Sequence, residues 1–453
     1  MISQEPHISV GIIQKREKVF GTCKGNFILG EGLNFSGSFT AAADGDTAVL
    51  RDGKQKEISR GREIVLRAQQ GATFILNDVA IGIQFHWQRN ENQEFEGDLR
   101  FCALRGSLTA LNDIGLERYL ESVLSSEMSA EAPMEFLKAH AVVSRSWLAA
   151  MLERKEKKTN AKASAVHGRH DEEEIVRWYD RDDHGLFDVC ADDHCQRYQG
   201  ITKIHSASVV RAAEETRGVF LLHNGEICDA RFHKSCGGRT ELFENNWQDT
   251  PVPYLQSVSD SPVPLLPVRT EDDARRWIMM APETLCYTAY CNPANDRTAD
   301  RKLLKKILPD FDQETVDFFR WKVEYSGQEL SALVEKKSGI DFGEILEIVP
   351  LQRGPSGRIF RLKISGTKRT IIVGKELEIR KWFSPSHLLS GAFFVDTLPD
   401  ARNIPKQFIF YGAGWGHGVG FCQIGAAAMA EAGTAAEAIV EHYFKNTHLK
   451  KLY

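Results

Sequence analysis

The chain has 453 residues, of which 42% are hydrophobic, and its formal net charge is −5. This length suits two or three ordinary domains, and the apolar fraction is enough for a full core. The near balance of charge argues against a nucleic-acid partner or an anionic membrane surface. No apolar run reaches the roughly 18 residues of a membrane span, and the first residues, MISQEPHISVGII, lack a signal-peptide pattern. The sequence therefore predicts a folded protein with no nucleic-acid partner and no transmembrane segment.

Nine cysteines are too few for a disulfide scaffold, and an odd number cannot all pair. Cys190 and Cys195 have the same spacing as Cys286 and Cys291. This spacing suits either two small disulfides or metal ligands, while buried thiols remain the alternative for most of the nine. The cysteines thus leave the redox compartment open.

The first 110 residues predict a β-rich region of short strands, with a turn at Asn77-Asp78. Asn112 or Asp113 is expected to cap a helix that carries LERYLESVL. After a break at SSEMSAEAP, a second helix should begin near Pro133.

The next segments mix charge, hairpins and helices. Residues 153–183 are dense in charge and indicate a solvated insertion. GVFLLHNGEICDARFH predicts a hairpin that turns at Asn224-Gly225, because this dipeptide tolerates positive φ at both positions. Capping boxes at Thr270 and Ser326 predict helices between residues 265 and 340.

The C-terminal part predicts a meander formed by EILEIV, IFRLKIS and TIIVG, then a glycine-rich strand or loop, a small-residue helix and a last helix capped by Thr434. The whole pattern predicts an α+β fold with an inserted α/β subdomain. The predicted domains are a β-rich region at 1–110, a catalytic core at 111–265, an inserted helical and meander subdomain at 266–375, and the rest of the core at 376–453.

Two cations share one face of the second predicted helix. Lys138 and Arg145 are seven residues apart, which brings them within about 20 degrees on a helix. The helix is apolar nearly all round, and buried cations need acidic partners. By position the nearest candidate is Glu127, whose carboxyl could then be tuned for proton transfer. A purely structural ion pair is the alternative.

The segment YGAGWGHGVG places glycines at every second position, with Trp415 and His417 between them. If this stretch is extended, one face is bare backbone and the other presents an indole and an imidazole. A bare face beside Trp415 would suit a sugar ring, and close packing of two backbones is the alternative.

A third group of candidates combines histidine and cysteine. His184, Cys190, His194 and Cys195 fall within twelve residues, and mixed nitrogen and sulfur donors suit zinc. Buried or disulfide-paired thiols beside an Asp192-Asp193 turn are the alternative.

Three blocks resemble the SpoIID/LytB family in the correct order. SSEMSAEAPMEFLKAHAVVSRSWLAAM, ETRGVFLLHNGEICDARFHKSCGGRTE and GAGWGHGVGFCQIGAAAMA are similar to its SEMP, NG...GGRTE and GWGHGVG segments. The resemblance implies a lytic transglycosylase of the cell envelope that cuts peptidoglycan glycan strands, with Glu127 as its single acid and base and no required cofactor. It implies further cleft residues at Lys138, Arg145, His233, Ser235, Trp415, His417 and Gln423, and a possible zinc site at His184, Cys190 and His194.

The sequence departs from the family pattern at three motif positions, Ser129, Cys236 and Cys422, none of which removes Glu127. Residues of about 153–183 and 280–370 exceed the simplest family pattern. The LytB branch suggests a rival function, a non-catalytic activator of a cell-wall amidase. Zinc-dependent hydrolysis at His184, Cys190 and His194 is a third hypothesis.

Overall fold

A computed structural model describes the chain in ten ranges: residues 2–83, 88–157, 166–179, 184–204, 206–261, 265–279, 304–309, 312–313, 318–402 and 404–453. Helices and several sheets alternate, which confirms the predicted α+β class. Within these ranges no helix is both long and apolar enough to cross a bilayer. The Cys286 and Cys291 pair lies outside the described residues.

The N-terminal region is β-rich, as predicted, and builds most of an eleven-stranded sheet. The expected turn at Asn77-Asp78 is wrong: Asp78 adopts φ 54° inside a continuous strand, where the register shifts between Leu76 and Val79. A bulge therefore replaces the turn. The strands are β1 (His7–Arg16), β2 (Lys18–Leu29), β3 (Leu33–Asp44), β4 (Thr47–Asp52), β5 (Glu57–Gly61), β6 (Glu63–Ala68), β7 (Thr73–Ile81), β8 (Arg89–Glu96), β9 (Asp98–Leu104) and β10 (Ser107–Gly115).

Two buried helices follow, α1 (Leu116–Glu127) and α2 (Met134–Lys157). The second begins directly after Pro133, as predicted. The predicted cap of α1 is wrong, because Asn112 and Asp113 pair within β10 and the helix starts at Gly115 without a side-chain cap. Glu127 is consequently the last residue of α1 rather than part of the break that follows it.

The predicted hairpin is confirmed, with φ 50° at Asn224 and φ 82° at Gly225. It follows helix α3 (Ala207–Glu215) and leads to a short strand that pairs in parallel with a strand from the C-terminal part. These elements are β13 (Val189–Cys190), which joins the large sheet beside β1, β14 (Val219–His223), β15 (Glu226–Ile227), β16 (Phe232–His233), β23 (Phe421–Cys422) and β24 (His448–Lys451).

The predicted caps near residues 270 and 326 are confirmed. Thr270 caps helix α4 (Glu271–Met279), because its hydroxyl accepts a hydrogen bond from the backbone N–H of Asp273 at 3.1 Å. Helix α5 (Gly327–Ser338) has a complete capping box at Ser326 and ends at Gly339 with φ 75°.

The predicted meander is also confirmed and belongs to a five-stranded sheet. Part of the charged segment joins this sheet, because strand β12 (Glu174–Tyr179) pairs in parallel with strand β20 (Thr370–Gly374). Ile175 and Val176 of this segment are buried. A purely solvated insertion was therefore a wrong interpretation of that part. The strands are β11 (Val166–His170), β12 (Glu174–Tyr179), β18 (Ile345–Arg353), β19 (Ile359–Gly366) and β20 (Thr370–Gly374), and helix α6 (Glu376–Trp382) packs on them.

A three-stranded sheet of β17 (Arg320–Ser326), β22 (Pro405–Ala413) and β21 (Phe393–Pro399) leads into the glycine-rich segment. Beyond Ala413 this segment is not extended, because Gly414, Gly416, Gly418 and Gly420 all have positive φ. The expected strand with one bare face is therefore wrong. Two helices end the fold, α7 (Gln423–Glu431) and α8 (Ala436–Tyr443), and the N-cap of α8 is Ala435 rather than Thr434.

Candidate functional site

Glu127 ends helix α1 and is only 7% exposed. Its Oε1 accepts a hydrogen bond from the backbone N–H of Arg197 at 2.9 Å. Its own backbone carbonyl accepts from the Lys234 ammonium at 2.8 Å, which satisfies one of the carbonyls left open at a helix end. Among the described residues, Oε2 accepts no hydrogen bond. One carboxylate oxygen is thus anchored and the other is left to a ligand.

Two cations and two further carboxylates surround this glutamate. Asp312 contacts Lys234 at 2.8 Å and Arg197 at 3.2 Å, and Asp193 contacts Arg197 at 2.6 Å. Both aspartates are therefore committed to ion pairs. Glu127 is the carboxyl of this group whose side chain has no ion-pair partner within the described residues.

Burial raises the pKa of Glu127 above its ordinary value, and the negative charge of Asp193 acts in the same direction. The positive charges of Arg197 and Lys234 oppose this increase. The position at the C-terminal end of α1 also disfavours a negative charge. A carboxyl with a raised pKa keeps its proton to higher pH than an exposed glutamate, which suits a group that donates a proton and later takes one back.

Lys138 and Arg145 do not have the partner that the sequence suggested. Lys138 pairs with Glu135 at 3.1 Å and with Glu215 at 2.6 Å near the surface. Arg145 is fully buried and forms two hydrogen bonds with Glu117, at 3.0 and 2.6 Å. This corrects the sequence interpretation: Arg197 and Lys234 are the cations beside Glu127, and the alternative of structural ion pairs accounts for Lys138 and Arg145.

Two loops, residues 233–239 and residues 414–420, meet beside Lys234, and we call them the motif loops. The backbones of Ser235 and Trp415 exchange hydrogen bonds at 3.0 and 2.8 Å. The ring centroid of His417 lies 5.6 Å from that of His233 and 5.0 Å from that of Trp247. The structure thus brings four of the predicted residues together. The Trp415 ring packs on Phe318 instead of facing a bare glycine strand.

His233 is buried within these loops. One of its nitrogens, Nδ1, lies 3.1 Å from the carbonyl of Val419, and burial lowers its pKa to about 3. Gln423 lies elsewhere: its amide is 3.3 Å from His140 in the apolar core. Gln423 is therefore buried in this structure, and its role in the cleft stays a prediction.

Arg358 connects the meander sheet to both motif loops. Its guanidinium is fully buried and donates to the carbonyls of Gly416 and Cys236 at 3.1 Å each, and to that of Ser235 at 3.4 Å. A Cβ at Gly418 would lie 2.4 Å from this guanidinium, so only glycine fits there. Arg358, the residue directly before β19, therefore holds the loops that carry His233 and His417.

The histidine and cysteine candidates converge beside these loops. His184, Cys190, His194 and Cys195 each place a donor atom within 4.8 Å of the others. The Sγ of Cys195 is 3.4 Å from both His184 Nε2 and His194 Nδ1. The expected ligand set omitted Cys195, which the structure adds. A hydrogen bond from Cys195 holds the pKa of Cys190 well below its ordinary value, so the thiolate that zinc requires is favoured.

This donor set of two nitrogens and two sulfurs fits tetrahedral zinc. Four protein ligands fill the tetrahedron and are typical of structural sites, whereas a catalytic zinc keeps one position for water. The cluster therefore fits a zinc that fixes the segment 184–197, which includes the Arg197 backbone N–H bonded to Glu127.

A cavity of about 550 Å³ adjoins the cluster. Its lining comes from the large sheet, the cysteine-histidine cluster, the motif loops and helix α6. Among the lining residues are Ile81, Asp193, Trp247, His417, Glu376 and Lys381. The cavity touches the Glu127 network through Asp193, the partner of Arg197.

Two different family models match two different segments of the chain. The family model described as stage II sporulation protein matches residues 104–223, which hold α1, α2 and the cysteine-histidine cluster. The stage II sporulation protein D of Bacillus amyloliquefaciens is 24% identical over 347 residues, which are 77% of each chain. These matches support assignment of the chain to the SpoIID/LytB family. A domain of unknown function matches residues 241–420.

Two other relatives match this chain over shorter segments. The amidase enhancer of Bacillus subtilis is 25% identical over 241 residues, which are 53% of this chain and 32% of the relative. An uncharacterized protein of Brachyspira hyodysenteriae is 27% identical over 202 residues, 43% of this chain and 47% of the relative. The matches thus span about half or less of these two relatives.

Proposed function

We propose that this chain is a lytic transglycosylase of the cell envelope that cuts peptidoglycan glycan strands between N-acetylmuramic acid and N-acetylglucosamine. The observation that carries the proposal is the buried carboxyl of Glu127, whose pKa is raised and whose Oε2 accepts no hydrogen bond from the described residues. Similarity to the SpoIID/LytB family supports a role at the cell wall.

The proposed reaction needs one carboxyl group. Protonated Glu127 gives its proton to the glycosidic oxygen, which leaves as an alcohol when its bond to C1 breaks. The resulting carboxylate then removes the proton of the substrate's own C6 hydroxyl while O6 bonds to C1. The product is a 1,6-anhydro ring, and Glu127 is protonated again for the next cycle.

A hydrolase would need a second free carboxylate to activate water or to attack C1. The nearby carboxylates, Asp193 and Asp312, are both held in ion pairs with Arg197 or Lys234. This favours the mechanism that uses the substrate's hydroxyl. The cysteine-histidine cluster, with four donors, supports a structural role for zinc rather than zinc-dependent hydrolysis.

A second candidate function is a non-catalytic activator of a cell-wall amidase, which the similarity to an amidase enhancer supports. Product analysis separates the two. Purified protein alone should release glycan fragments that end in 1,6-anhydro-N-acetylmuramic acid, detected by mass spectrometry. Stimulation of an added amidase without any glycan cleavage would support the activator instead, and free reducing ends would indicate a hydrolase.

A further inference from the structure

The cavity beside the candidate site contains several charged side chains. Arg380 contacts Glu376 at 3.5 Å and donates to the Leu388 carbonyl at 2.6 Å. Asp193 is paired with Arg197 at 2.6 Å. These charges have protein partners.

Asp192 is held similarly, because its carboxylate accepts from the backbone N–H groups of Gly82 and Ile83 at 3.0 and 2.8 Å. Like Asp193, it therefore needs no cation from a ligand. Asp192, Asp193 and Glu376 thus each have at least one protein partner.

Lys381 differs from these groups. Its ammonium lies 3.4 Å from the centroid of the Tyr179 ring, and no carboxylate of the described residues lies within ion-pair distance of it. The nearest acidic residue on its own helix, Glu378, is already engaged by Arg177, Tyr179 and the Trp382 indole. Burial lowers the pKa of Lys381; the negative charge of Glu378 opposes this decrease, whereas the charges of Arg177 and Lys337 add to it. A partly buried ammonium that has no ion-pair partner among the described residues can bind an anionic group of a ligand.

From this arrangement we infer that Lys381 binds a carboxylate of the glycan substrate, so that the cavity selects muramyl residues over uncharged sugars. The inference rests on the proposed function for the identity of the ligand. Trp247, His417 and Tyr179 line the same cavity. Lys381 and Tyr179 both belong to the unit around the meander sheet, which gives that unit a role in specificity.

The carboxylate has two possible sources, the lactyl group of a muramyl residue without a stem peptide and the stem peptide itself. Binding is therefore measured by calorimetry with three ligands: glycan strands without stem peptides, the same strands with stem peptides, and N-acetylglucosamine oligomers of equal length. The full chain carries Glu127→Gln so that the ligand is not cut. The tighter of the two muramyl ligands identifies the source.

We expect a muramyl ligand to bind roughly ten- to a hundredfold more tightly than the uncharged oligomer, as for one charged hydrogen bond. Lys381→Met, added to Glu127→Gln, should remove most of this preference while thermal unfolding is unchanged, because the methionine keeps the packing on Tyr179. Lys381→Arg should keep part of it. Lys336→Met, at an exposed lysine of helix α5, is the matched control and should keep all of it.

An unchanged preference in Lys381→Met, or no preference in the parent, would overturn the inference. So would the lack of binding to every ligand. Failure of the proposed function has a different signature: the unmutated chain would release no 1,6-anhydro ends, while a Lys381-dependent preference for the carboxylate could still be measured.

Discussion

The backbone N–H of Arg197 donates to Oε1 of Glu127 across 70 positions of sequence, at 2.9 Å. This bond couples the end of helix α1 to the segment that follows the cysteine-histidine cluster. Arg197 acts on Glu127 twice, because its N–H anchors the carboxylate and its guanidinium lowers the pKa that burial raises. The predictions below follow from this arrangement.

The pH dependence of cleavage should report Glu127. Protonated Glu127 is the acid, so kcat/KM should fall as pH rises through its raised pKa. Lys234→Met removes a positive charge that lowers this pKa, while Arg197 and Asp193 remain. The alkaline limb of the kcat/KM profile should therefore move to higher pH.

Lys306→Met is the control for this profile, because Lys306 is exposed and pairs with Glu431. A limb that stays at the same pH in Lys234→Met would show that another group controls the reaction.

Arg145 should matter for stability rather than for catalysis. Arg145→Met leaves the buried carboxylate of Glu117 without its cation, which costs about 3–5 kcal/mol of the free energy of unfolding. Lys138→Met removes partly exposed pairs and should cost about 1 kcal/mol or less. Urea unfolding measures both. If Arg145→Met kept its unfolding midpoint but lost cleavage, a functional role for Arg145 would be supported after all.

Zinc should bind the four-donor cluster. Metal analysis of protein purified without chelators should give about one zinc per chain. Cys195→Ser should reduce zinc retention and lower the unfolding temperature, because metal binding stabilises only the folded state. Cys102→Ser, at a half-buried thiol in β9, should change neither. A metal-free protein with reduced thiols would contradict this prediction.

Arg358 should position the motif loops. Arg358→Met removes the donors to Ser235, Cys236 and Gly416, so kcat should fall roughly ten- to a hundredfold with a smaller change in KM. Arg361→Met, at a half-exposed arginine that pairs with Glu174, is the control. Equal kinetics in both variants would show that the loops hold their geometry without Arg358.

Local features could be predicted from the sequence because local physics decides them. The hairpin at Asn224-Gly225, the start of α2 after Pro133 and the capping boxes at Thr270 and Ser326 all follow from the preferences of neighbouring residues. Failures occurred where tertiary contacts override such preferences. The glycines of 414–420 indicated an extended strand, but Gly418 is packed against the guanidinium of Arg358 in a left-handed conformation.

The candidate site was predictable only in part for the same reason. Glu127, His233 and His417 lie in motif segments. The cations beside Glu127, Arg197 and Lys234, lie in other segments of the chain. A helix projection compares only residues of one helix, so it could show Lys138 and Arg145 but not these two. Lys234 could have been predicted as a site residue because it follows His233 in HKSCGG. Arg197 could have been predicted because it lies just after the cysteine-histidine cluster. No pattern in the sequence pointed to Asp312 or Arg358, whose contacts with Lys234 and with the motif loops lie 58 or more positions away.

The central claim is that Glu127 alone transfers the proton. The measurement is mass spectrometry of the fragments released from glycan strands, with and without stem peptides, by the full chain and by Glu127→Gln. The glutamine keeps the shape and the bond from Arg197 but cannot donate a proton, so release of 1,6-anhydro ends should fall by roughly 10² to 10⁴-fold. Glu131→Gln, at an exposed glutamate in the turn after α1, is the matched control and should cleave normally. Undiminished release of anhydro ends by Glu127→Gln would contradict the account.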